Sequence, residues 1–342
     1  MKTSFFMIFS LLCLLLFLGH SSYGQTQTAG SIEQVGTSMV NFLKIGVGAR
    51  ALAMGGAYVA SCDDITALYW NPGALDRLEC NEIIVQQTTW LVESDLYFFG
   101  ACYKLSNWGT IGLSAYYFTS GEIEETTLLQ PDGTGRTFSA SDLAMGLSYS
   151  KRITDRFSSG ITLKIIQESL DKEKARTVAL DIGSVFETSF LNNLRIGMSL
   201  SNLGGQMRLE GSDLSIQYST NPDHPTRVVN ANLATEEWDI PLFFRFGMAT
   251  DVWTNQQNRL TVSSEAMDSR DYTHRISLGG EYGFQETFFL RGGYKFNYDE
   301  DSFTLGGGVN FNARGTQIRL DYAYGDYGVF DNTQRFSFIF AF

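Results

Sequence analysis

No stretch of this 342-residue chain after its first residues comes near the twenty consecutive apolar residues that a membrane-spanning helix needs. Histidine is nearly missing, at three residues, and cysteine numbers four. Basic residues are outnumbered, 25 Lys and Arg against 37 Asp and Glu, for a formal charge of −12. Each scarcity excludes something. The acidic balance argues against a nucleic-acid partner. Cys62, Cys80 and Cys102 have no CxxC spacing, so they give neither a zinc or redox motif nor a complete disulfide framework. His224 lies in a Pro-containing stretch, and His274 has no serine or acid at a catalytic spacing, so an enzyme is not expected. No motif calls for a cofactor or a metal.

The N-terminus reads as a secretory leader. Lys2 precedes an apolar run from Phe5 to Leu18, and Ser22-Tyr23-Gly24-Gln25 offers small residues for a cut after Gly24. Cys13 lies inside the apolar run behind Leu12, which does not fit a lipidation site. Loss of the leader removes Lys2 and takes the charge to −13.

What the rest of the chain has in abundance is alternation. Phe288, Leu290, Gly292, Tyr294 and Phe296 fall on one face of a strand, with Phe289, Arg291, Gly293, Lys295 and Asn297 on the other. The next two segments repeat this, with Phe303, Leu305, Val309 and Phe311 opposing Thr304, Asn310 and Asn312. Ile318, Leu320, Tyr322 and Tyr324 then oppose Arg319 and Asp321. One apolar face and one charged face, strand after strand, is the pattern of a barrel with lipid outside and a polar lumen. It predicts an all-β fold: a transmembrane antiparallel β-barrel of about 14 strands, with an N-terminal hatch or plug. The strands are expected at 82–90, 94–104, 107–119, 137–151, 157–169, 177–187, 193–201, 240–253, 258–266, 274–284, 287–297, 302–312, 315–325 and 333–342. Trp108, Trp238, Trp253, Tyr282, Tyr322 and Tyr324 would form interfacial girdles.

The connections fit the same scheme. Those after even-numbered strands are brief, as at Ser106-Asn107 and Gln285-Glu286. Those after odd-numbered strands are mostly longer: 120–136, 170–176, 267–273, 326–332 and the long stretch 202–239, where 206–218 could hold another hairpin. Only the first of them, near 91–93, is short. This asymmetry puts both termini in the periplasm. The competing reading is a soluble two-sheet β domain, which would need uniformly polar outer faces.

Inward-facing charges are expected at Arg245, Arg275, Glu281, Arg291, Lys295, Arg319 and Asp321, and also at Lys164, Glu168, Asp181, Arg195, Arg259 and Glu265. Their mixed signs suggest a salt-bridged interior holding a hatch, although a wider polar pore stays open as an alternative.

Residues 30–76 do not alternate. Gly46, Gly48, Arg50, Gly55 and Gly56 sit among small residues; Asp63-Asp64 could cap a short helix, ligate calcium or meet a luminal arginine; and after Trp70, Asn71-Pro72-Gly73 must turn the chain. The glycines lack the GxGxxG spacing and a Walker lysine, so close packing explains them better than a phosphate loop. The resulting plan is a leader over 1–24, a hatch segment over 25–81 and a barrel over 82–342.

The stretch GARALAMGGAYVA followed by DDITALYWNPGAL resembles the N-terminal signature of the PorV/PorQ family, outer-membrane proteins associated with type IX secretion in Bacteroidetes. That family is similar in turn to FadL-type transporters, 14-stranded barrels with an N-terminal hatch. Where the family commonly has Asn-Pro-Ala-Gly, this chain has Asn71-Pro72-Gly73-Ala74. The terminal Phe342 resembles a recognition signal for outer-membrane assembly. The resemblance implies a protein of the outer membrane, in contact with its lipid, that binds type IX secretion components or secreted cargo. The loop 202–239, with Asn221-Pro222-Asp223-His224-Pro225, is the expected contact surface. The alternative it implies is a FadL-like transporter of a hydrophobic small molecule.

Overall fold

The computed structural model describes residues 36–342 except 93, 220–227, 273, 299–301, 314 and 329–331. The expected leader, the first part of the hatch segment, and Asn221-Pro222-Asp223-His224-Pro225 lie outside the described residues.

Fourteen strands close into one antiparallel barrel in which each strand pairs with its neighbours in sequence. They begin with β1 (Glu82–Thr89), β2 (Asp95–Lys104) and β3 (Thr110–Thr119). A small hairpin, β4 (Ile123–Glu124) with β5 (Thr137–Phe138), stands in the connection before β6 (Ala140–Thr154). The wall continues through β7 (Phe157–Leu170), β8 (Glu173–Thr188) and β9 (Leu194–Gly204). A second hairpin, β10 (Ser215–Ser219) with β11 (Val228–Asn232), interrupts it. Then come β12 (Phe243–Thr254), β13 (Asn258–Ser269), β14 (Arg275–Phe284) and β15 (Phe288–Phe296). After β16 (Phe303–Ala313) and β17 (Thr316–Asp326), β18 (Asn332–Ala341) closes the ring on β1, with Glu82 opposite Ala341 and Thr89 opposite Gln334. Closure leaves no sheet edge, which is the condition for strands to cross a membrane.

The phase read from the sequence is the phase of the wall. On β15 the outward Leu290 is 66% exposed while the inward Arg291 is 2% exposed. Two connections differ from expectation. Residues 170–176 were expected as a loop, yet β7 and β8 run on to pair Leu170 with Glu173 in a tight hairpin. The extra hairpin in the long connection pairs 215–219 with 228–232, so it reaches well beyond 206–218.

The core lies inside the barrel. The described part of the hatch segment, from residue 36 to the start of β1, folds into α1 (Ala49–Ala53), α2 (Ala67–Trp70) and short 3-10 turns at Asn41–Lys44 and Pro72–Arg77. Its side chains are among the most buried in the protein, including Val47, Ala53, Tyr58, Ile65 and Leu75 at 0%. They pack with inward wall residues such as Ile84, Phe98, Tyr116 and Ile166.

Candidate functional site

The interior junction between plug and wall is the candidate site, and backbone geometry builds it first. Helix α1 ends on two glycines with positive φ, Gly55 at 68° and Gly56 at 77°. Gly56 N–H donates to Ala51 O and Gly55 N–H to Leu52 O, each at 3.0 Å, the double closure of a Schellman ending that favours residues without a Cβ. Gly48 precedes the helix at φ 85°, and its N–H donates to Gln86 Oε1 on β1 at 2.6 Å. A Cβ on Gly46 would stand 2.7 Å from Leu52 Cδ2, so the motif glycines make room for packing.

Asn71, Pro72 and Gly73 fasten the plug to the opposite wall. Asn71 Oδ1 accepts from Gly73 N–H at 3.1 Å, while its Nδ2 donates to Val59 O at 2.9 Å and to Ser184 O on β8 at 3.0 Å. A Cβ on Gly73 would lie 2.6 Å from Gly183 O, so two backbones touch here with nothing between them. Gly160, Gly197, Gly247, Gly279 and Gly293 meet plug atoms equally closely from other strands. Trp70 lies inside, donating Nε1–H to Val47 O at 2.7 Å and set edge-on to Tyr58 and Tyr69.

On this frame sits a network of buried charge. Arg50 donates Nε–H to Glu281 Oε2 at 2.7 Å and Nη2–H to Oε1 at 2.9 Å. On its other side Arg50 pairs with Asp63, and with Asp64 Oδ2 at 3.2 Å. Glu281 also takes Arg291 at 2.7 Å and Arg259 at 3.0 Å; Arg291 continues to Asp321 at 2.6 Å, and Arg319 reaches Asp64 at 3.4 Å. Four carboxylates (Asp63, Asp64, Glu281, Asp321) therefore face four guanidiniums (Arg50, Arg259, Arg291, Arg319). Balanced charge with several hydrogen bonds per carboxylate is what makes such burial tolerable. Burial alone would raise the Asp63 carboxyl, but Arg50, helped by Arg77 and Arg319, holds it well below the usual carboxylate range. Burial pushes the Tyr58 phenol well above its usual range, so it stays a hydrogen-bond donor, here to Asp64 Oδ2 at 2.7 Å.

Of the pair, Asp64 meets a luminal arginine, Arg319, at 3.4 Å, whereas Asp63 pairs with Arg50 of the plug itself. No side chain caps α2; Asp64 Oδ1 instead accepts from Thr66 N–H at 3.0 Å in the turn before it. Among the described residues no group of acidic, His and Cys side chains could hold a metal ion.

The other inward charges fall into separate sets. Arg245 lies 3.6 Å from Glu265, which accepts the N–H groups of Tyr58 and Val59 at 2.9 and 2.8 Å. Arg195 pairs with Asp251 on the wall at 2.9 Å. Lys164 is held by Asp181 at 2.6 Å, and Glu168 accepts from Val40 N–H at 2.8 Å. Arg275 and Lys295 face the ring of Tyr298, at 4.3 and 5.2 Å from its centroid. These last two, with Trp70, Trp90, Phe243 and Tyr272, help line a cavity of about 400 Å3 between the plug and the long-loop end. Phe342 is exposed at the opposite end, where it exchanges two backbone hydrogen bonds with Asn81.

Sequence reasoning missed two wall groups that receive the plug backbone, Gln86 and Glu82, which accepts from Ile65 N–H at 2.8 Å, and also Asp271 in the connection after β13, which holds the side chains of Lys44 and Ser38, each at 2.6 Å. One signal was available, the glycines at inward positions of strands, which mark close backbone approach.

The family model described as "Type IX secretion system protein PorV" matches residues 28–223. No curated protein matches the sequence. Among solved structures, the Ralstonia pickettii toluene transporter TbuX is similar, with TM-score 0.53 and 13% identity over 86% of this chain and 97% of that one. The Pseudomonas putida toluene transporter TodX gives the same values. A Pseudomonas aeruginosa FadL homologue gives 0.51 and 12%, over 86% and 96%. At these identities the likeness is one of fold.

Proposed function

Because the chain belongs to the PorV family of type IX secretion proteins, we propose that this outer-membrane barrel engages a secretion component or secreted cargo through its outer loops and performs no reaction of its own. The division into a leader over 1–24, a hatch over 25–81 and a barrel over 82–342 is part of this proposal. So is an orientation with both termini in the periplasm, supported by connections of two to five residues at one end and the two hairpin-bearing connections at the other.

The observation that carries the reading is at the tip of the β4–β5 connection. Thr127 bridges Gln130 and leaves Leu128 and Leu129 at the corner, 103% and 94% exposed. Two adjacent leucines held wholly in solvent are an apolar contact without a partner among the described residues, and burying each against one would contribute about 1.5 to 3 kcal/mol. The plug supports the same reading, since it is tied to the wall by ion pairs and backbone contacts rather than resting loosely in a channel.

The test is affinity purification of the tagged protein from detergent-solubilised outer membranes, with mass spectrometry of what it retains. Retention of translocon components or secreted cargo by the wild type, lost in a Leu128→Ser/Leu129→Ser variant, is the expected result. A second reading rests on the aromatic-lined cavity of about 400 Å3: transport of a hydrophobic small molecule, in keeping with the toluene transporters that share the fold. Recovery of a stoichiometric hydrophobic ligand with no protein partner would replace the first reading by this one.

A further inference from the structure

The outward face of β8 changes character abruptly near the long-loop end. Ile165 and Val178, paired across β7 and β8, are 62% and 53% exposed and belong to the apolar belt. The next two rungs pair Gln167 with Arg176 and Ser169 with Lys174, and both cations are exposed. Two residues along a strand span about 7 Å, which carries Arg176 from the hydrocarbon edge into the headgroup layer.

A second strand-like segment widens the patch. Lys174 and Glu210 exchange backbone hydrogen bonds at 2.8 and 3.0 Å. Met207 and Leu209 of that segment turn inward to the core, so Arg208 and Glu210 share the outward face with Lys174 and Arg176. Arg208 is paired with Glu210 at 2.6 Å. Arg176 instead donates to neutral Gln167 Oε1 at 2.8 Å, and among the described residues no carboxylate lies within ion-pair distance of Arg176 or Lys174. Other outward strand ends on this rim carry acids, as at Asp95 and Asp326. Two unneutralised cations side by side at headgroup depth, in a chain of net charge −12, therefore stand out.

We infer that Lys174 and Arg176 form a binding site for the phosphate of an outer-leaflet glycolipid of the lipid A type. The planar guanidinium of Arg176, steadied by Gln167, offers a fork to phosphate oxygens, and Lys174 adds a point charge one rung further out. Gln167 Nε2 donates in turn to Ser169 Oγ at 3.1 Å, which leaves the Ser169 hydroxyl to donate to a sugar oxygen. The site rests on the proposed orientation, in which the long-loop end faces the cell exterior.

Native mass spectrometry of the full chain, purified in detergent and exposed in turn to lipid A, phosphatidylglycerol, phosphatidylcholine and inorganic phosphate, tests this. Each cation near an anionic headgroup is worth about fivefold in affinity, so Lys174→Gln/Arg176→Gln is expected to lower lipid A retention about thirtyfold. The control Lys151→Gln, an exposed cation at the opposite end of the wall, should leave retention unchanged, and the heat-dependent gel shift of a folded barrel should persist in every variant. Equal retention of lipid A by the double variant overturns the site. So does wild-type binding of phosphatidylcholine or phosphatidylglycerol as tightly as lipid A, or displacement of lipid A by millimolar phosphate. Labelling of a Leu128→Cys variant on intact cells with an impermeant maleimide separates the two failures: no labelling sinks the orientation, whereas labelling with unchanged lipid retention sinks the site alone.

Discussion

Arg50 of the plug and Glu281 of β14, 231 residues apart in sequence, meet through two parallel charge-assisted hydrogen bonds of 2.7 and 2.9 Å. Glu281 is 0% exposed and receives two further arginines, so it is the point at which plug and wall are tied. Neutralising it leaves three guanidiniums facing an amide. Glu281→Gln is expected to destabilise the barrel by about 3 to 5 kcal/mol, the usual cost of breaking a buried pair from one side. Denaturant unfolding in detergent micelles measures it. Arg50→Met/Glu281→Met should cost less than the sum of its single variants, because the contact is shared.

Neighbouring glycines on the same strand give a second test. A Cβ on Gly279 would point inward, 2.8 Å from Met54 Cβ and against the Met54 carbonyl. At Gly280 it would point outward, with its nearest atom 3.9 Å away. Gly279→Ala is therefore expected to cost about 1 to 3 kcal/mol by overpacking. Gly280→Ala should stay within about 0.5 kcal/mol. Thermal unfolding of the two variants side by side decides it. An equal effect would mean that the glycines serve the strands and not the plug contact.

These contacts mark the limit of what the chain reveals before folding. The wall was legible because lipid on one side and plug on the other impose a period of two, which Leu290 and Arg291 obey as neighbours. The hairpin tip over 170–176 looked like a loop for the same reason. It rises out of the hydrocarbon, where the outward face turns polar and the apolar alternation fades, yet the ladder continues. The small residues around Arg50 were recognisable as a packed element. That its guanidinium would choose Glu281 was not, because partner choice depends on where two distant strands bring the plug. The glycine pairs Gly73–Gly183 and Gly55–Gly293 were hidden similarly, each half ordinary until backbone meets backbone.

Acid should loosen the plug in a defined window. Asp63 has its folded-state pKa lowered by Arg50, with Arg77 and Arg319 adding to the effect against the opposing pull of burial. A lowered pKa means that its contribution is fully present above the unfolded value, near 3.9, and is lost as pH falls through the lower folded value. Protection of the plug against an acid-active protease is expected to hold steady from neutral pH to about pH 5 and to fall below about pH 4. In Asp63→Asn part of that fall should be missing. A loss of protection centred above pH 5 would assign the response to other groups.

The outward leucines carry the last test, because their exposure has opposite meanings in lipid and in water. Leu163 is 52% exposed at the middle of β7, flanked by Leu147 on β6 and Leu180 on β8. In water, exchanging an exposed leucine for arginine changes stability by no more than about 0.5 kcal/mol. In a bilayer the same exchange near the midplane costs about 2 to 4 kcal/mol, falling towards zero at the interfaces. Leu163→Arg is thus expected to lose that much when the barrel is refolded into phospholipid vesicles. Ile153→Arg, at the turn end of β6, should lose little, since its side chain can reach the headgroups. The depth dependence is the informative quantity: a penalty that peaks at Leu163 and fades towards Ile153 follows from a lipid belt around the strands, whereas equal values at both sites would fit a wall surrounded by water.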